Sequence, residues 1–167
     1  MTLTQERLKS LLRYEPETGH FYWLVASGRA RVDALAGCRQ EGYIDIKIDG
    51  RKHKAHRLAF LYETGLWPTE QVDHINGVRS DNRWFNLRPA TPSQNCHNQR
   101  RPHSNNRSSR HLGVSWHKAS RRWLAQISVR GKVRHIGTFS DEDAAHIAYL
   151  AAKRECHPYG EIAREAA

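Results

Sequence analysis

The segment from Gln71 to Arg101 constrains the fold most. In about 30 residues it orders a short strand (QVDH), a polar loop (INGVRSDNRWFN), a second short strand (LRPA) and a helix start (TPSQNCHNQRR). The helix start is well specified. Thr91 is placed as N-cap, Pro92 at the first helical position and Gln94 as the residue that completes a capping box. Asp73 and His74 are neighbours on the first strand, and strand neighbours point to opposite faces. Convergence of their side chains therefore predicts a kink or loop start at His74.

Upstream, TQERLKSLLR (residues 4–13) places Leu8, Leu11 and Leu12 on one helical face. YEPETGHFYWL reads as turn and strand, and residues 26–37 as a loop. GYIDIKIDGRKHKAHRL carries a hairpin: Ile44, Ile46 and Ile48 alternate with Asp45 and Lys47, and Asp49-Gly50 supplies the turn. A short helix is predicted from His56 to Glu63, ending at Gly65.

The charge is unevenly placed. The net charge is +10, and residues 98–140 contain ten Lys and Arg with no Asp or Glu. That stripe matches the whole net charge, and the rest of the chain cancels. A stripe of this kind suits a polyanion, although a solvated basic face would have the same composition. Residues 102–110, PHSNNRSSR, read as a turn-rich linker. Beyond them LGVSWHK, WLAQISVR and KVRHIGTF read as three strands, with Gly131-Lys132 turning the second into the third. Trp123, Ala125, Ile127 and Val129 share one face of the middle strand; Leu124, Gln126, Ser128 and Arg130 share the other. Ser140 is placed as cap of an acidic-fronted helix whose apolar side is Ala144, Ile147, Ala148 and Ala151.

Several function classes are excluded. No apolar run approaches the roughly 18 residues of a membrane span, and MTLTQERLKS lacks the features of a secretory signal. Cys38, Cys96 and Cys156 form no CxxC pair, which argues against a zinc ribbon and fits a reducing, cytoplasmic setting. What Gln71 to Arg101 does contain is Asp73, His74, Asn76, Asn82, Asn86, Asn95, His97 and Asn98. A metal-assisted phosphodiester hydrolase needs an oxygen-rich cation site and a neutral histidine to take a proton from water. Asp73 and Asn95 could supply the first, and His74 the second.

VDHINGVRSDNRWFNLRPATPSQN resembles the HNH motif of ββα-metal (His-Me finger) nucleases, close to phage and intron-encoded homing endonucleases. The resemblance extends upstream through YEPETGHFYW, GYIDIKIDG, AHRLAF and TGLWP. It implies that Asp73 is a metal ligand and His74 the general base. Asn86 takes the middle position and braces the loop, and Asn95 takes the last position as a second metal ligand. Asn at that place leaves fewer nitrogen donors and favours a hard cation, Mg²⁺, with Mn²⁺ as a substitute. His56 and Asn82 also match family positions, with roles less defined.

LGVSWHK followed by RRWLAQISVRGKVRHIGTFSDEDAAHIAYLAAKRECHPYGEIA resembles the Apetala/ERF-type DNA-binding domain, which lays a three-stranded sheet in the major groove. By that resemblance Ser115, His117, Arg122, Gln126, Ser128, Arg130 and His135 face the groove. Plant domains carry more arginines there, and a Trp where His135 stands. Lys118 is read as a phosphate contact, and Arg100, Arg101, Arg107 and Arg110 as the basic track leading to the sheet.

The expectation is thus an α+β chain. Residues 1–101 form an HNH nuclease domain with its ββα-metal core at about 71–101; residues 102–111 form a basic linker. Residues 112–167 form a three-stranded antiparallel sheet packed on one helix. The expected activity is metal-dependent, site-preferring hydrolysis of double-stranded DNA to 5′-phosphate and 3′-hydroxyl ends. The protein would be a monomer, encoded by a phage or mobile element and acting in the bacterial cytoplasm. The rival reading is a non-catalytic DNA-binding regulator with a vestigial nuclease half; a third, an RNA-binding protein, lacks an aromatic platform motif.

Overall fold

The computed structural model describes residues 2–99 and 108–157. Contacts divide the chain into two compact units, at Met1–Pro92 and Ser93–Ala167. Together the described residues hold four helices and four small sheets.

In the first unit, Thr4 caps α1 (Gln5–Leu11) by accepting the Arg7 N–H on its hydroxyl at 3.2 Å. The chain leaves the helix after Leu11, one residue before the last leucine of its pattern. Leu12 already opens β1 (Leu12–Glu15), which pairs antiparallel with β2 (His20–Trp23). Leu8 and Leu12 are nevertheless both fully buried, because the helix end and the strand start enter the same core. Residues 26–37 form a loop crossed only by isolated bridges.

The expected hairpin is β4 (Tyr43–Ile48) and β5 (Arg51–Lys54), turned at Asp49-Gly50 with φ of 47° and 81°. A short strand, β3 (Cys38–Gln40), extends this sheet on the other side of β4. Its residues are all exposed, so no burial pattern marks it in the sequence. Helix α2 (Ala55–Thr64) packs on β4, β5 and α1, burying Ala55, His56, Leu58, Ala59 and Leu61. It stops at Gly65, which adopts the left-handed conformation at φ 77°. β6 (Gln71–His74) and β7 (Leu87–Ala90) then pair in antiparallel register, joined by a loop with a 3₁₀ turn at Trp84–Asn86. Helix α3 (Pro92–His97) starts at the predicted proline but is only six residues long.

The second unit is a three-stranded antiparallel sheet in the order β10-β9-β8, covered by one helix. Its strands are β8 (Val114–His117), β9 (Arg122–Val129) and β10 (Lys132–Phe139); the helix is α4 (Glu142–Cys156). Three expectations need correction. The β9–β10 turn is Arg130-Gly131, at φ 50° and 76°, not Gly131-Lys132. This two-residue turn matches the twist of the flanking strands, and it takes Arg130 out of the strand. The α4 cap is Asp141, accepting the Ala144 N–H at 2.8 Å, one residue past Ser140.

The buried face of α4 is Ala145, Tyr149 and Ala152, while Ile147 is 68% exposed. Burial of the large Tyr149 ring decides the helix rotation over the smaller alanines. The ring lies against Gly113, where a Cβ would fall 2.1 Å from the ring carbons. The core beneath combines Val114, Ala125 and Ile127 with that helix face.

Candidate functional site

Both strand residues of the motif are buried, Asp73 to 5% and His74 to 4% exposure. Of the kink or loop start expected at His74, no kink interrupts β6, and the loop starts directly after His74. His74 pairs with Leu87 as the last residue of β6, and the turn begins only afterwards, with the Gly77 N–H donating to the His74 carbonyl at 2.8 Å. Strand alternation accordingly gives the two side chains different neighbours. Arg88, directly across the ladder from Asp73, donates from Nε and Nη2 to Asp73 Oδ2 at 3.1 and 3.0 Å.

His74 instead meets Asn82, His56 and Tyr43. Its Nε2 lies 3.1 Å from Asn82 Oδ1. An amide oxygen only accepts, so the imidazole proton sits on Nε2 and the lone pair on Nδ1. The His56 ring stands edge-to-face at 5.0 Å, and the Tyr43 ring is 6.1 Å away. Burial pushes the His74 pKa below the ordinary histidine value. The Asn82 bond and the charges of Asp73 and Asp81 oppose that shift, while the Arg79 charge adds to it. The ring is therefore neutral at neutral pH. His56, buried against the same ring, is lowered further, to about 3, by burial first and then by the His74, Arg57 and Lys54 charges. Its Nδ1 has no hydrogen-bond partner among the described residues.

Asn82, whose role the sequence left less defined, is fixed from a distance. The Tyr14 hydroxyl donates to the Asn82 carbonyl at 2.6 Å. The β1–β2 turn presses on the same place: a Cβ at Gly19, φ 75°, would lie 2.4 Å from the Asn82 carbonyl carbon and the Arg83 nitrogen. The first hairpin thus holds the loop that holds His74. Asn86 makes its side-chain hydrogen bonds within the same loop. Its Oδ1 accepts the Asn76 N–H at 2.9 Å, and its Nδ2 donates to the Asn76 side chain at 3.1 Å and the Asp81 carbonyl at 2.8 Å. Asp81 in turn accepts from Asn76 Nδ2 at 2.6 Å and binds Arg83, whose proximity holds its carboxyl below the usual range.

Asn95 is half-buried on α3, and its carbonyl accepts the Asn98 N–H at 3.2 Å. That helix straddles the division between the units. Among the described residues, no three His, Cys, Asp or Glu side chains gather as a metal cage. The candidate donors, a buried carboxylate and a side-chain amide, are oxygens. They fit a hard cation that keeps several waters.

In the second unit the register puts Ser115 beside Leu124, His117 beside Arg122 and His135 beside Gln126, with Ser128 opposite Val133. These residues share the sheet face turned away from α4, whereas Val114, Ala125 and Ile127 face the helix. Gln126, Ser128 and His135 are exposed on that open face. Arg130 lies exposed in the β9–β10 turn. Lys118 lies in the β8–β9 turn, and the His117 ring nitrogen Nδ1 bonds Ser120 Oγ at 2.8 Å in the same turn. Arg110 is engaged internally, 3.2 Å from Asp143 and 4.0 Å from Glu142. Arg100, Arg101 and Arg107 lie outside the described residues.

Comparison with known proteins agrees with the first unit. The HNH endonuclease family model matches residues 53–97, which span His56, Asp73, His74, Asn82, Asn86 and Asn95. The chain belongs to the HNH endonuclease family. It is 32% identical over 95 residues to Protein 3.8 of Escherichia phage T7, covering 56% of this chain and 73% of that protein. No solved structure matches the chain. No helix among the described residues is long and apolar enough to cross a membrane.

Proposed function

We propose that the chain is a metal-dependent, site-preferring DNA endonuclease of homing type, with His74 as general base. The observation that carries this is the buried His74 ring with its Nε2 held 3.1 Å from Asn82 Oδ1. A base needs a lone pair at neutral pH and a fixed orientation, and the arrangement supplies both. In this reading Nδ1 takes a proton from the attacking water while the Asn82 amide steadies the imidazolium that forms. Asn86 keeps the loop closed around Asn82. Asp73 supplies an oxygen donor for Mg²⁺, or Mn²⁺ in its place, and Asn95 is assigned as the second donor on the resemblance alone. The cation, when bound, would neutralise charge on the scissile phosphate and the leaving 3′-oxygen.

The fold of the catalytic part is read as ββα-metal, formed by β6, β7 and α3. Functionally, residues 1–101 are kept together as nuclease domain, with 102–111 as linker and 112–167 as an Apetala/ERF-like module. The open sheet face of that module, with Ser115, His117, Arg122, Gln126, Ser128 and His135, would enter a major groove of double-stranded DNA. Arg130 and Lys118 flank it. Gln and Arg suit base edges, and Ser and Lys suit phosphates.

A plasmid-nicking assay tests the reading. Cleavage should require Mg²⁺ and stop with EDTA, and the products should carry 5′-phosphates. His74→Ala should lower the rate by at least about 10²-fold, the low end for a lost general base, with little change in a gel shift. A native rate in that variant would remove the assignment. A wild-type protein that binds DNA but never nicks would support the regulator instead.

A further inference from the structure

Residues 71–99 contain three arginines, Arg79, Arg83 and Arg88. Arg83 is paired with Asp81 and Arg88 with Asp73. Arg79 forms no ion pair among the described residues, yet it is held in place. Its guanidinium stands over the Tyr43 ring, 4.9 Å from the centroid, and its Nη1 reaches the Glu41 carbonyl at 3.5 Å. Its aliphatic stem packs over Gly42, where a Cβ would meet Arg79 Cδ at 3.6 Å. The same Tyr43 ring lies 6.1 Å from His74 and 5.3 Å from His56. Lys54 also stands over Tyr43, at 5.0 Å, but its charge is met by Asp45 at 2.8 Å. Among the described residues Arg79 is therefore a cation close enough to His74 to act on its charge that forms no ion pair with a carboxylate.

An exposed arginine normally loses rotamer freedom when it binds, and its ordering opposes binding. Arg79 has already lost much of that freedom to the Tyr43 face and the Glu41–Gly42 turn. Its fork of N–H donors is suited to phosphate oxygens. We propose that Arg79, presented on Tyr43 beside His74, contacts the scissile phosphodiester and stabilises the negative charge that develops on it. This rests on the nuclease reading of His74 and adds a phosphate-binding residue that neither the motif nor the family match assigns.

The test compares nicking by the full-length wild type, Arg79→Ala, Arg79→Lys and His74→Ala in Mg²⁺, with thermal melts to show that all are folded. Arg79→Ala should lower the single-turnover rate by about 10²-fold, as loss of one charge-stabilising donor does, with gel-shift affinity changed less than the rate. Arg79→Lys should recover part of the rate. Millimolar guanidinium should restore part of it to Arg79→Ala and none to His74→Ala. An active wild type with Arg79→Ala nicking at the same rate would overturn this inference alone. So would a slowed Arg79→Ala that neither lysine nor guanidinium rescues, which would mark a structural role. An inactive wild type would overturn the nuclease reading and this inference with it.

Discussion

Asn82 Oδ1 accepts from His74 Nε2 at 3.1 Å, while the Asn82 main chain is fixed by the Tyr14 hydroxyl at 2.6 Å. A tyrosine on the first strand of the unit thereby anchors the residue that bonds a histidine sixty residues later in the sequence. Burial also raises the Tyr14 pKa, so its hydroxyl remains a donor across the working pH range.

If the Asn82 amide is what fixes the tautomer, Asn82→Asp should keep the bond but place a negative charge beside the ring. An adjacent carboxylate favours the imidazolium and raises the His74 pKa. The acidic limb of the nicking pH profile should move to higher pH, by about one unit or more. Asn82→Leu should slow nicking without that shift. A profile unmoved in Asn82→Asp would mean that Asn82 does not act on the base.

His56 makes the first unit sensitive to acid. Its folded pKa of about 3 lies below the ordinary value for an unfolded chain. Between those values the unfolded state binds more protons, so unfolding becomes easier as pH falls. The loss should approach about 1.4 kcal/mol per pH unit from His56, and His74, shifted in the same direction, adds to it. Urea titrations from pH 7 to pH 4 would measure the slope. His56→Phe should flatten it; an unchanged slope would show that the acid response lies elsewhere.

In the second unit, Tyr149 and Gly113 are interlocked. Tyr149→Ala should cost about 3–5 kcal/mol, as expected for a large aromatic lost from a core. Gly113→Ala has no room for its Cβ and a φ of 73°, so it should destabilise the sheet-helix unit without altering nicking chemistry at saturating DNA. Thermal melts and single-turnover rates separate the two effects.

The arginines of the basic stripe should not contribute equally to DNA binding. Arg110 is held by Glu142 and Asp143, whereas Arg122 is exposed and its guanidinium makes no ion pair among the described residues. If about six cations meet phosphates, log K should fall against log salt with a slope near −5. Arg122→Ala should make that slope shallower by about one, and Arg110→Ala should hardly change it. Equal effects would show that the Arg110 pairs break on DNA.

The sequence by itself determined the local elements whose chemistry is contiguous. QVDH and LRPA became β6 and β7, Asp49-Gly50 turned a hairpin, and KVRHIGTF became β10, because alternation and turn residues act over a few positions. Composition placed the net charge, and the residues of the HNH motif were legible from their spacing.

Tertiary structure decided what depends on partners distant in the chain. It decided which face of α4 is buried, since Tyr149 needs the gap at Gly113 more than the alanines need any contact. It decided that His74 stays in the ladder, because its carbonyl and ring find partners in the loop without a kink. And it decided the role of Asn82. An asparagine in a polar loop becomes a determinant of histidine protonation only when a hairpin and a tyrosine from the start of the chain press it against the ring, and no local pattern encodes a contact made across that separation.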